Sequence, residues 1–141
     1  MRIKIPLQIV ELESENYHLI VEGKFEDGTI INWIVDTGAS KSVFDSNISV
    51  RYQQLDEKTE EIHSAGIGEN PLETSIGELE SFFLGKLKIN TPKMAILDLS
   101  HINKLYSTAT NLKIAGLIGG DFLKKYQAKI DYKKKVLELK K

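Results

Sequence analysis

A chain of 141 residues supplies one hydrophobic core, since single cores occupy about 50 to 200 residues, and it leaves no room for two full catalytic lobes. Hydrophobic residues at 41% and charged residues at 28% exclude disordered, collagen-like and low-complexity classes. The formal net charge of -1 removes the general electrostatic case for a nucleic-acid partner or an anionic membrane surface, and the absence of cysteine excludes disulfides, thiolate metal sites and cysteine nucleophiles.

The opening Met1 to Pro6 carries charge without an apolar run of about 7 to 15 residues behind it, so no secretory signal is visible. No apolar stretch reaches the roughly 18 residues of a membrane span, and a cytoplasmic location is expected. Alternation of Ile3, Ile5 and Leu7 predicts strand, continuing through Tyr17 to Phe25. Asp27-Gly28 then marks a hairpin, because glycine tolerates the positive φ of tight turns. The return strand, Thr29 to Val35, is β-branched and aromatic and breaks at Asp36-Thr37-Gly38.

After a short mixed stretch, Glu61 to Ala65 and Glu73 to Leu84 are predicted strands joined across Gly66 to Pro71 in a long hairpin. Lys86 to Ile89 and Lys93 to Leu97 continue the strand pattern. Leu99, Ile102, Leu105 and Tyr106 recur at helical spacing, with Ser100 or Asp98 as the expected cap. The chain closes with the apolar run Ala115 to Gly120, a short helix from Asp121 to Tyr126 and a lysine-rich hairpin from Ala128 to Leu139. This is a mostly β class with two or three short helices, organised as a single domain over 1–141. No repeat of 20 to 50 residues is present. There is an echo between halves: Trp33 to Gly38 and Gly116 to Asp121 are both apolar strands that break at glycine, the pattern of a pseudo-twofold domain.

An isolated Asp-Thr-Gly says little, but here it follows a buried strand, precedes Ala39-Ser40, and is matched some 80 residues later by an apolar-apolar-Gly run. Through Trp33-Ile34-Val35-Asp36-Thr37-Gly38-Ala39-Ser40 and Gly116-Leu117-Ile118-Gly119-Gly120-Asp121-Phe122-Leu123, the sequence resembles the retroviral-type (retropepsin-like) aspartic proteases, most closely their single-domain bacterial relatives. In looser form the likeness covers roughly residues 17–139. It implies a closed or partly open β-barrel of the acid-protease type, one lobe per chain, and an aspartic endopeptidase acting on a peptide or protein.

The chemistry follows from the residues. A carboxylate that activates water must be held rigidly, and a strand end followed by a glycine turn lets backbone amides face the acid. Peptide hydrolysis by this route needs one carboxylate as base and one carboxyl as acid, which two close acids sharing a proton provide. The chain has one Asp-Thr-Gly, so the second acid is expected from another copy, in a homodimer with Asp36 and its mate at the twofold axis. Attack is by water, without a covalent intermediate or cofactor. The resemblance further implies that Thr37 bonds across the axis and that Gly38 turns its carbonyl to substrate. Ala39 has no hydroxyl to favour the ionised carboxylate, so activity is expected to peak at mildly acidic to near-neutral pH.

Gly66-Ile67-Gly68 resembles the tip of the family's flap, the hairpin that closes over substrate. Where the retroviral pattern pairs an Asp with an Arg, this chain has Ser40 and Gly120, so both partners of that ion pair are missing together. Asp121 is read as a helix N-cap and not as a second catalytic acid. Ile67 and Ile118 are expected to line an apolar cleft.

His18, His63 and His101 lack metal-ligand spacing, so no metal is expected. Trp33, Phe82, Phe83 and Phe122 read as core or interface, and both Lys133 to Lys135 and the acidic run Asp56 to Glu61 as solvated surface. Asp-Thr-Gly-Ala-Ser also resembles the phosphate-binding hairpin of actin-like and sugar-kinase ATPases. That fold needs two lobes and a second phosphate loop, too much for this length. A second reading keeps the fold and dimeric cleft as a catalytically silent peptide-binding or assembly module.

Overall fold

The computed structural model describes residues 1–62 and 72–141, with side chains described for 1–55 and 75–141. Among these residues, thirteen strands and two helices run in the order β1 (Arg2–Pro6), β2 (Gln8–Glu13), β3 (Asn16–Phe25), β4 (Ile30–Val35), β5 (Val43–Asp45), a 3-10 turn (Ser49–Arg51), β6 (Tyr52–Ile62), β7 (Leu72–Leu79), β8 (Phe82–Leu84), β9 (Leu87–Ile89), β10 (Lys93–Leu97), α1 (Ser100–Ala109), β11 (Ile114–Ile118), α2 (Gly120–Lys125), β12 (Lys129–Asp131) and β13 (Val136–Lys140). The fold is mostly β, a curled half-barrel forming one lobe.

A large sheet takes the order β6-β7-β10-β5-β11-β4-β3-β8-β9, with β2 paired to β3, and a small sheet takes the order β1-β13-β12. At the centre β5 and β11 are antiparallel, flanked by β10 parallel to β5 and β4 parallel to β11. The second strand of each pair, β4–β5 and β10–β11, thus lies beside the first strand of the other, a local twofold pattern that answers the echo in the sequence. The two motif strands are direct neighbours, with Trp33 opposite Gly116, Ile34 opposite Leu117 and Val35 opposite Ile118.

Side chains alternate across the sheet with period two. Trp33, Val35, Phe44, Met94 and Ile96 join one core with Ile3, Ile5, Leu137 and Leu139 of the small sheet. Ile34, Val43, Ala95, Leu97 and Leu117 face the opposite way, into a second core closed by Leu99 and Tyr106. Helix α1 is therefore the cover of a sheet face that would otherwise be open to water. All five residues of β11 are buried, as expected of a central strand with both faces covered. Gly116 permits this packing, since a Cβ there would lie 2.3 Å from the Val43 carbonyl oxygen and 2.5 Å from the Trp33 ring. Trp33 itself stacks on Phe82 at 4.9 Å between ring centres.

Several expectations are corrected. Strands β2 and β5 are not separated out by the sequence pattern: β5 is too short to display alternation, and β2 carries two glutamates and a glutamine among its apolar residues. The strand expected at Glu61 begins at Tyr52, and the single strand expected from Glu73 to Leu84 divides into β7 and β8 at Glu80-Ser81. Helix α1 is capped at Leu99 and not at Ser100 or Asp98; the Asp98 carboxylate instead accepts from the Ser100 N–H and hydroxyl. Those bonds and one from Asn47 hold its pKa below the usual carboxylate value. Among the described residues, no helix is long and apolar enough to cross a membrane.

Candidate active site

The polypeptide leaves β4 at Val35, and the parallel ladder continues one residue further, with the Asp36 N–H donating to the Ile118 carbonyl at 2.9 Å. Asp36 is half-buried. The Gly38 N–H donates to Asp36 Oδ1 at 2.9 Å, and the Ala39 N–H donates to the Asp36 carbonyl at 3.2 Å. The carboxylate is thereby held by its own turn, with Oδ1 engaged. Thr37 and Gly38 are exposed and Ala39 is buried.

The turn is tied from behind to the start of α2. The Gly120 N–H donates to the Ala39 carbonyl at 2.7 Å, and the Asp121 N–H to the Ser40 carbonyl at 3.3 Å. These are amide groups that a helix start leaves without intrahelical partners, so the loop satisfies them. Ser42, 3% exposed, completes the tie. Its N–H and its hydroxyl both donate to Asp121 Oδ1, at 2.9 and 2.8 Å, and its oxygen accepts from the Gly119 N–H at 3.0 Å. Gly119 must be glycine, because a Cβ would sit 2.7 Å from the Ala39 carbonyl oxygen and 2.8 Å from the Lys41 backbone.

Asp121 is accordingly not the N-cap. Gly119 holds that position, while the Asp121 carboxylate binds the Ser42 groups and the Phe122 N–H. Ile118 is also corrected: it is fully buried in the core and does not line a cleft. Gly66, Ile67, Gly68 and His63 lie outside the described residues.

A cavity of about 610 Å³ opens beside Asp36 and Thr37. Its walls come from β3, β4, β11, β12 and α1, and Asp36 is the only carboxylate among the described residues lining it. Helix α1 is fixed there by Asn103, whose Oδ1 accepts from the Ile114 N–H at 2.7 Å and whose Nδ2 donates to the Ile114 carbonyl at 3.0 Å. At its base, buried Asp45 accepts from the Leu99 N–H. Within the cavity, His18 Nδ1 and the Tyr106 hydroxyl are 2.8 Å apart, and burial pushes the phenol's pKa up, keeping it neutral.

The motifs brought Asp36 and Gly119 to notice, but not Ser42 or the pair His18 and Tyr106. Ser42 had one available signal: a small hydroxyl residue just before the buried run Val43 to Asp45. His18 and Tyr106 are 88 residues apart and share no sequence signal.

The aspartyl protease family profile matches residues 21–122, a span containing the first motif and the second as far as Phe122. The crystal structure of a retropepsin-like aspartic protease from Rickettsia conorii is similar in fold, with a TM-score of 0.54 and 20% identity over 99% of this chain and 90% of that one. No curated protein matches the chain. With both motif strands inside a match that spans more than half of its length, the chain belongs to the aspartyl protease family.

Proposed function

We propose that the chain is an aspartic endopeptidase in which the Asp36 carboxylates of two copies, paired across a homodimer axis, activate water against a peptide bond. The observation that carries this reading is Asp36 at the end of a central strand, held by its own turn, as the sole carboxylate on the described wall of a substrate-sized cavity. One lobe supplies one acid, and proton exchange needs two.

One Asp36 takes a proton from water as the water oxygen bonds to the scissile carbonyl carbon. The other gives its proton to the carbonyl oxygen, forming a neutral gem-diol. On collapse the protonated Asp36 gives its proton to the leaving nitrogen as the C–N bond breaks, and a gem-diol hydroxyl gives its proton to the other Asp36, so the pair returns to its single shared proton. Thr37 bonds across the axis and Gly38 presents its carbonyl to substrate, with Gly66, Ile67 and Gly68 as the closing flap. The Ile118-Gly119-Gly120-Asp121 segment braces the loop that runs through Ala39 and Ser40. Residues 1–141 act as one domain, with no metal or cofactor.

The test is hydrolysis of a diverse peptide library from about pH 3 to 8 by wild type and Asp36→Asn, at concentrations where sedimentation shows a dimer. Cleavage by wild type alone, greatest at mildly acidic to near-neutral pH, is the expected result. Folded dimers of both proteins that bind peptide and cut nothing would favour the catalytically silent module, and an active monomer would overturn the shared pair.

A further inference from the structure

The formal net charge of -1 conceals a segregation. Residues 1–6 and 121–141, which hold the small sheet and most of α2, carry ten of the 19 basic residues and three of the 20 acidic ones, a local balance of +7. Residues 7–120, with nine basic and 17 acidic residues, stand at -8. The strand register places much of the positive charge on one surface. Ile3, Ile5, Leu137 and Leu139 turn to the core and side chains alternate with period two, so Arg2, Lys4, Lys129 and Lys140 share the outward face. All four are exposed, as are Lys133 and Lys134 in the turn from β12 to β13. None of these six is in an ion pair with a described residue, whereas Arg51 and Lys88 are. Arg2 lies directly opposite Lys140, a like-charge pair that is unfavourable within a sheet and that an external anion relieves.

We propose that the outward face of the small sheet, with its adjoining turn, docks electrostatically on the anionic phospholipid surface of a bilayer. Five of the six side chains are lysines, hydrated point charges without the planar fork by which arginine reads phosphates and bases. No aromatic residue occupies an outward position of the three strands, so the face has no platform on which a base would stack. A spread of point charges on a sheet face complements a surface of many headgroups, where each Lys or Arg contributes roughly a 5-fold gain in partition. The acidic remainder of the chain is repelled by the same surface, which turns the small sheet toward the lipid. The six residues lie apart from Asp36, and the docking holds whether or not the chain cuts peptides.

The experiment sediments the chain with vesicles of phosphatidylcholine, alone or with about one third phosphatidylglycerol. Salt is set at about 0.1 M, where charges are screened over about 10 Å, and at about 1 M, where the length is about 3 Å. One variant combines Lys4→Gln, Lys129→Gln, Lys133→Gln and Lys134→Gln. Its control combines Lys24→Gln, Lys86→Gln, Lys104→Gln and Lys113→Gln, which removes the same charge from exposed positions outside the small sheet. Wild type is expected to bind the anionic vesicles alone, at the lower salt alone. The first variant should weaken that binding at least about 50-fold, and the control by less than about 5-fold. Urea midpoints establish that both variants are folded; should the first not be, the lipid and salt arms with wild type decide.

Absence of binding to the anionic vesicles, equal binding to phosphatidylcholine alone, or binding that survives the higher salt overturns the proposal. Equal losses in the two variants assign the effect to net charge and overturn the face. A short DNA duplex that strips the protein from vesicles at matched phosphate concentration assigns the face to nucleic acid and also overturns the membrane. Displacement by inorganic phosphate at millimolar concentration reveals a single-anion site instead of a docking surface, with the same consequence.

Discussion

Replacing Ser42 by alanine removes one hydroxyl that links the Asp36 loop to the start of α2. Two interactions are lost, and they differ in weight. The Gly119 N–H is buried and donates to Ser42 Oγ at 3.0 Å; without that acceptor it becomes a buried unsatisfied donor, at a cost of about 1 to 3 kcal/mol. The bond to Asp121 is charge-assisted, but Asp121 is exposed, so water replaces the lost donor and little of its strength registers. Ser42→Ala should therefore lose about 1 to 3 kcal/mol, whereas Asp121→Asn, which retains an acceptor oxygen, should lose under about 1 kcal/mol. Urea unfolding at fixed protomer concentration measures both as a shift of midpoint at constant slope. A loss below about 0.5 kcal/mol for Ser42→Ala, or an equal loss for Asp121→Asn, would refute the reasoning. In the endopeptidase reading, Ser42→Ala lowers kcat more than it raises KM, because Ser42 braces the loop and does not line the substrate cavity.

Gly119→Ala forces a methyl to within 2.7 Å of a carbonyl oxygen, while Gly120→Ala meets nothing nearer than 3.6 Å. Thermal melts should show the first failing to fold stably and the second within about 1 kcal/mol of wild type, the better helix propensity of alanine helping; similar behaviour of the two would contradict the packing of this turn. Tyr106→Phe keeps the ring and removes the hydroxyl paired with His18, so a loss of about 0.5 to 1.5 kcal/mol is expected by urea titration. Asp27 is held down to about 2, first by the Thr29 N–H, then by the Thr29 hydroxyl and Arg51. Its ionised form is favoured by folding, so its contribution is complete above the ordinary value of 3.8 and is lost as pH falls toward about 2. Asp27→Asn should flatten that part of the stability curve, and a curve parallel to wild type across this range would refute it.

Much of the fold was legible because its signals are local. Asp27-Gly28 closes the turn from β3 to β4, with the Gly28 N–H bonded to the Phe25 carbonyl. The apolar runs of β4 and β11 read as buried strands because both faces of each are covered, and the helical spacing of Leu99, Ile102, Leu105 and Tyr106 located α1. Strand β6 was legible only at its end, since Tyr52-Gln53-Gln54 has little strand character of its own. Pairing with β7, Tyr52 opposite Leu79 and Gln54 opposite Gly77, decides that segment.

The sequence by itself determined the mostly β class, the strand ends that carry Asp36 and Gly119, and the family pattern, because turn chemistry and side-chain period act within a few residues. Only the tertiary structure decided that β11 inserts between β4 and β5. That insertion brings Ser42 to Asp121 across 79 residues, while α1, covering the second face of the same sheet, meets His18 with Tyr106 and walls a cavity at Asp36. Such contacts leave no periodic trace, since they arise from burying two faces of one sheet and from satisfying the amides at a helix start, conditions set by the folded chain as a whole.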